Sequence, residues 1–142
     1  MISELVEVKG QFRSRDLDIN GKLKVELYVY TTSIEPIQSE YKNSVELIGY
    51  ICKRPSLRTT PSGKQITDLL VACNYSKDKT AYIPVVTWGK CARTSGKYAV
   101  GTKVSINGRI QSRTYTKELN NSVANFLVHE LSATNIVELV NQ

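Results

Sequence analysis

The chain has 142 residues, a formal net charge of +6, and aromatic residues at 8% of its composition. That length suits one domain with an extension and a sizeable core. No apolar run approaches the ~20 residues of a membrane span, and the opening "MISELVEVKG" is too polar for a secretion signal. Cys52, Cys73 and Cys91 are odd in number and lack a paired spacing, and His129 is the single histidine. They form no usual zinc pattern and read as reduced thiols of a cytoplasmic protein. The sequence implies no cofactor and no metal. Charge is uneven: −2 over residues 1–49, +11 over 50–117 and −3 over 118–142. A central segment that basic repels itself unless an anionic partner covers it.

In chain order, residues 1–40 come first. "VEVKGQFRSR" (6–15) lines up with "VSINGRIQSR" (104–113) at an offset of 98, with Val6, Gly10, Ser14 and Arg15 identical at their matches. The same offset sets Val25 on Val123 and Tyr28 on Phe126. Asn20-Gly21 is a type I′ hairpin signal. Residues 1–40 are therefore expected to be a hairpin extension resembling the last two strands of a second barrel. A lone hairpin is marginal in water and must pack on something, so the row Val6, Val8, Gly10 and Phe12 is expected to be buried. An interface between copies is the favoured place, and the segment's acidity argues against direct nucleic-acid contact.

The main domain spans residues 43–140. Val45–Cys52 reads as a strand, followed by the loop "KRPSLRTTPSGK". Ile66–Tyr75 and Thr80–Trp88 are the next strands, "GKCARTSGKYAVG" has short helical character, and Thr102–Tyr115 and Val123–Val137 complete the set. Strand, strand, strand, short helix, strand, strand is the order of an all-β, five-stranded Greek-key OB-fold barrel, here preceded by the N-terminal β-hairpin.

Thr80–Trp88 puts Tyr82, Pro84, Val86 and Trp88 on one face, since strand side chains alternate. The strand from Thr102 alternates more cleanly. Val104, Ile106, Gly108 and Ile110 form an apolar row, and Lys103, Arg109, Arg113 and Tyr115 share the opposite face. If these two strands share a sheet, aromatics and cations interleave. Unpaired bases stack on such rings while the linked phosphates need the cations, so the expected partner is a single-stranded nucleic acid, single-stranded DNA or single-stranded RNA. Tyr82 and Trp88 are six residues apart, roughly 20 Å along a strand.

On these residues the chain resembles the bacterial single-stranded DNA-binding protein family. "NSVELIGYICKRPSLRTTPSGKQITDLLVACN" resembles its first two strands with the Pro-x-x-Arg loop and Pro-x-Gly-Lys turn between them. "YIPVVTWGKCA" resembles its third strand and "GTKVSINGRIQSRTY" its fourth, and the likeness fades through the fifth, near residue 137. Carried over by position, the stacking aromatics fall on Tyr82, Trp88 and Tyr115, with Tyr75 a fourth. Arg113 and Arg58 match family cations. Lys53, Lys64, Lys103 and Arg109 complete the candidate interface through their place in the basic segment.

The resemblance implies sequence-independent coating of single strands in DNA replication, recombination or repair, without catalysis or cofactor. It also implies a homo-oligomer, dimer or tetramer, in the cytoplasm and associated with the nucleoid when bound to DNA. The family's acidic, Phe-ending tail is missing from "ATNIVELVNQ", and "SKDK" is shorter than the usual basic loop, which implies a smaller footprint. A primosomal, replication-restart OB protein is the alternative. Asp68, Asp78 and His129 are the candidates for acid–base or metal chemistry, and their scattered spacing speaks against an enzyme.

Overall fold

The computed structural model describes residues 4–37 and 41–140, so the outermost residues of the expected 1–40 segment lie outside the described residues. In chain order the elements are β1 (Val6–Ile19), β2 (Lys22–Pro36), β3 (Val45–Ile51), β4 (Ser56–Thr59), β5 (Gln65–Ser76), β6 (Lys79–Trp88), α1 (Gly89–Ser95), β7 (Lys103–Leu119) and β8 (Ser122–Glu138). β1 and β2 form a two-stranded sheet. The others run β3-β7-β8-β6-β5-β4, and an additional β3–β5 pairing closes a five-stranded barrel with β4 as a flap on β5.

The five expected barrel strands and the short helix are present, and the structure adds three details. β4 lies inside "KRPSLRTTPSGK", read from sequence as loop, because the Thr60–Lys64 turn folds Ser56–Thr59 back onto Gln65–Asp68. The helix stops at Ser95 rather than continuing toward Gly101. β7 and β8 run on past Tyr115 to a turn at Asn120-Asn121, making a long arm.

Alternation builds the core. Leu47 and Ile51 of β3, Leu69 and Val71 of β5, Ile83 and Val85 of β6, Val104 and Ile106 of β7, and Leu131 of β8 are buried together. At one end α1 caps them through polar contacts: Thr67 Oγ1 donates to the Ala92 carbonyl (2.6 Å), and the Thr87 and Ser95 hydroxyls pair at 2.7 Å. At the start of β3 the Asn43 amide acts as a strand residue, donating to the Ile110 carbonyl (2.7 Å) and accepting from its N–H (2.9 Å). That bond pair carries β7 beyond its last ladder contact with Val45.

Both hairpins contain the same bulge. Pairing skips Thr32 opposite Lys9/Gly10 and Thr134 opposite Asn107/Gly108. Each skipped threonine donates its hydroxyl to the carbonyl before the glycine, Thr32 to Lys9 (3.1 Å) and Thr134 to Asn107 (3.0 Å). Each glycine is required by close approach of backbone, since a Cβ there would collide with the carbonyl of Tyr30 or of Ser132. The offset of 98 holds between β1 and β7, but the bulges set β2 against β8 at 102. Tyr28 therefore corresponds to Glu130, not Phe126. The cause is the β7–β8 arm, two residues longer per strand between bulge and turn than Gly10–Ile19.

The expected buried row of β1 is borne by part of its length. Phe12 and Leu27 pack on the barrel core, and Ser14 is buried. Val6 and Val8 stay 42% and 47% exposed. Their counterparts on β7 are covered because that stretch pairs with β3, whereas β1 pairs with β2 alone.

Candidate nucleic-acid interface

Register places a continuous outer face across four strands. Trp88 of β6 stands opposite Ile66 of β5, and Tyr82 opposite Ala72. On the other side of β6 the parallel pair Val86–Ser132 brings in β8, whose Ser132 lies opposite Arg109 of β7. Residues paired across a ladder point to the same face, so Trp88, Val86, Ser132 and Arg109 share it. β6 and β7 do share the sheet, with β8 between them.

Trp88 anchors this face. Its indole N–H donates to Ser132 Oγ (3.2 Å), while the residue stays 40% exposed. One edge is thus held by the barrel and a ring surface is left free. A cavity of about 620 Å³ adjoins it, lined by Trp88, Lys64, Arg93, Gln65, Thr59 and two glycines. Arg93 of α1 is held by Gln65 Oε1 (2.9 Å). It is a cation at the site that sequence reading missed, because its place depends on where α1 packs.

Further along the face, Arg113 Nε (2.8 Å) and Gln111 Nε2 (3.0 Å) both donate to Glu130 Oε1. Glu130 is buried beneath them while the Arg113 side chain is 42% exposed. Arg58 of β4 forms a two-armed contact with Asp68, Nε to Oδ2 at 2.7 Å and Nη2 to Oδ1 at 3.4 Å. The Asp68 hydrogen bond raises the guanidinium's hold on its proton, burial opposes it, and the Asp68 and Glu130 charges add to it. Two of the expected cations are therefore already paired with carboxylates. Arg109, Lys53 and Lys64 are exposed and form no ion pair among the described residues.

The remaining expected residues sit apart from Trp88. Tyr115 lies six residues beyond Arg109 on the arm, roughly 20 Å. It stacks on Phe126 with centroids 5.3 Å apart, and both rings are more than a third exposed. Phe126 was missed because the register of β8 was needed to pair it. Lys103 is six residues from Arg109 in the other direction, with its ammonium 5.9 Å from the exposed ring of Tyr50. Tyr82 is 47% exposed and Tyr75 half-buried, at the end of β5–β6 that faces the N-terminal hairpin. The structure thus joins Trp88 with Arg109, Lys64 and Arg93. It leaves Lys103 with Tyr50, and Tyr115 with Phe126.

The residues weighed for catalysis do not converge. Asp68 is held by Arg58, Asp78 sits in the β5–β6 turn, and His129 is exposed on the arm opposite Ser112. Among the described residues no group of three or more His, Cys, Asp or Glu side chains is placed to hold a metal ion. No helix among them is long and apolar enough to cross a membrane.

Comparison with known proteins follows the same outline. The family model described as "Single-strand binding protein family" matches residues 42–137. A single-stranded DNA-binding protein of Clostridium tetani is 41% identical over 80 residues, covering 51% of this chain and 55% of that protein. Single-stranded DNA-binding protein 2 of Streptococcus agalactiae is 32% identical over 83 residues, covering 54% and 63%. The chain thus spans under two thirds of the length of these relatives. A crystal structure of a deletion mutant of the Thermus aquaticus single-stranded DNA binding protein superposes with a TM-score of 0.78 at 23% identity. That match covers 98% of this chain and 62% of the other, so it takes in the N-terminal hairpin.

Proposed function

The chain belongs to the single-strand binding protein family, and on that premise we propose that it binds single-stranded DNA without catalysis and with little base preference, in replication, recombination or repair. The observation that carries this is Trp88, an exposed indole pinned at its N–H to Ser132, with Arg109 across that serine and Lys64 and Arg93 along the adjoining cavity. A base stacks on the ring while its phosphates meet the cations. Duplex DNA hides its base faces and leaves the ring unused.

Tyr82, Tyr75 and the Tyr115–Phe126 pair extend the track along β6 and the arm. Arg109, Lys53, Lys64, Lys103 and Arg93 serve phosphates, and Arg58 and Arg113 do so with charge shared with Asp68 and Glu130. Single-stranded RNA offers the same stacking faces and is a weaker candidate ligand. A homo-oligomer, dimer or tetramer, is supported by the exposed apolar side chains Val6, Val8 and Ile34 on the hairpin. The chemistry belongs with nucleic acid in the cytoplasm. No feature of the fold favours the replication-restart role over simple coating.

The test is binding to matched single- and double-stranded oligonucleotides over a range of salt, followed by Trp88 fluorescence. Preferential single-strand binding with quenching and a negative log–log salt slope is expected. Equal affinity for the duplex, or single-strand binding with unaltered emission, overturns the assignment of Trp88 and the reading built on it.

A further inference from the structure

The acidity of residues 1–40 argues against nucleic-acid contact, yet the fold delivers the hairpin's cations and rings to the Tyr82 end of the track. Ser14 Oγ accepts the backbone N–H of Tyr82 at 2.6 Å, which ties β1 to the free edge of β6. The Arg13 guanidinium lies between two rings, 4.0 Å from the centroid of Tyr30 on the hairpin and 4.2 Å from that of Tyr75 on the barrel. The side-chain partner of Arg13 is Gln11 Oε1 (2.6 Å from Nη2), so its charge is not cancelled by a carboxylate there. Arg15 lies over the Tyr28 ring at 5.3 Å and pairs with Glu26 at 2.8 Å. A cavity of about 300 Å³ then brings Arg15 and Lys79 beside Tyr75 and Tyr82, with Asp16 and Asp78 as the carboxylates on its wall.

We propose that the β1–β2 hairpin forms the distal part of the single-strand track, with Tyr30 as a stacking platform and Arg13 as its phosphate-facing cation. This rests on the proposed binding of single strands to the barrel face. The layered order Tyr30, Arg13, Tyr75 is a cation held between aromatic faces, which fixes both rings and leaves Tyr30 54% exposed. A strand leaving Tyr82 crosses the cavity it shares with Tyr75, whose ring Arg13 joins to Tyr30. The occupant is the continuation of the same nucleic acid rather than a protein, because the alternation of ring and cation continues the pattern of the barrel face.

The test compares oligothymidylates of about 4 and about 16 nucleotides, the limits of single-barrel site sizes, on the whole chain. Tyr30→Ala is expected to weaken the long oligonucleotide at least about fivefold and leave the short one unchanged, while Tyr30→Phe retains wild-type affinity for both. Ser14→Ala, which removes the hairpin's hydrogen bond to β6 without touching ring or cation, is expected to produce the same long-only loss. Hydrogen exchange at the Tyr82 amide reports its bond to Ser14 Oγ. It is expected to stay protected in Tyr30→Ala and to lose protection in Ser14→Ala. Wild-type affinity for the long oligonucleotide in both alanine variants, or an equal loss on both lengths, overturns the proposal. Failure of the unmodified protein to bind either oligonucleotide overturns the barrel-face reading instead, so the two failures are distinct.

Discussion

Glu130→Gln should strengthen single-strand binding at a small cost in stability. Arg113 and Gln111 both donate to the one oxygen, Oε1, so a glutamine carbonyl can keep both bonds and place its NH₂ where Oε2 was. What is lost is the charge assistance of one contact. A hydrogen bond to a charged group contributes about 1.5–3 kcal/mol and a neutral one about 0.5–1.5, so the expected destabilisation is about 1 kcal/mol. Partial exposure of Arg113 to solvent places it no higher than that. The binding face gains a unit of positive charge, because Arg113 is no longer neutralised and Arg58 loses a nearby anion. One further phosphate neutralised on a single strand steepens the log–log salt slope by about 0.7. Over a fourfold drop in salt that is roughly a threefold larger gain in affinity than wild type shows. Fluorescence titration across salt measures the slope, and urea unfolding measures the cost. An unchanged slope would show that Arg113 does not reach a phosphate. A cost above about 3 kcal/mol would show that the two bonds do not survive the substitution.

Tyr82→Ala and Trp88→Ala should each weaken single-strand binding by roughly 1–3 kcal/mol with the salt slope preserved. Tyr115→Ala should fall at the low end, because Phe126 is left to stack; a loss of slope in any of the three would mark a phosphate role instead. Gly108→Ala should destabilise the barrel by about 3 kcal/mol, since the added Cβ meets backbone that cannot step aside. Gly10→Ala makes the same collision in the hairpin and should shift the barrel's urea transition, read by Trp88 emission, by under about 1 kcal/mol; equal shifts would show that hairpin and barrel unfold as one unit. Burial pushes the Cys73 thiol from its ordinary 9.0 up to about 12, with Cys52 nearby adding to it. A group whose folded pKa is raised stabilises the fold below its unfolded pKa and loses that contribution as pH rises, so stability should decline between pH 9 and about 12 and Cys73→Ser should flatten that limb. At neutral pH, alkylation should reach half-exposed Cys91 before Cys73.

Much of this protein is legible in its sequence because strand chemistry is local. Alternation in "KVSINGRIQSRTY" separates Val104 and Ile106 from Arg109, Arg113 and Tyr115, and the backbone pleat then dictates which row is buried. Asn20-Gly21 marks its turn because few residues tolerate a positive φ, observed at 52° and 80°. The basic centre and the exposed aromatics on β6 follow from the same local pattern.

Partnership between strands was decided only by the tertiary structure. Which cations stay free depends on ladders joining residues far apart in the chain: Arg58 meets Asp68 across β4–β5, and Arg113 meets Glu130 across β7–β8, so each is a neutral pair rather than a free charge. Arg93 reaches the Trp88 cavity because α1 caps the barrel beside it, and Phe126 reaches Tyr115 because the turn at Asn120-Asn121 sets their register. The longer β7–β8 arm moves the internal repeat of β2 from an offset of 98 to 102, and the bulges at Thr134 and Thr32 shift each hairpin's pairing beyond them. A single inserted residue costs a hairpin little and shifts every pairing beyond it, so neither composition nor periodicity reports it. Docking of the hairpin on β6 through Ser14 is of the same kind. It is one hydrogen bond between residues 68 positions apart, and it joins Arg13 and Tyr30 to a face that their own acidic segment gave no reason to include.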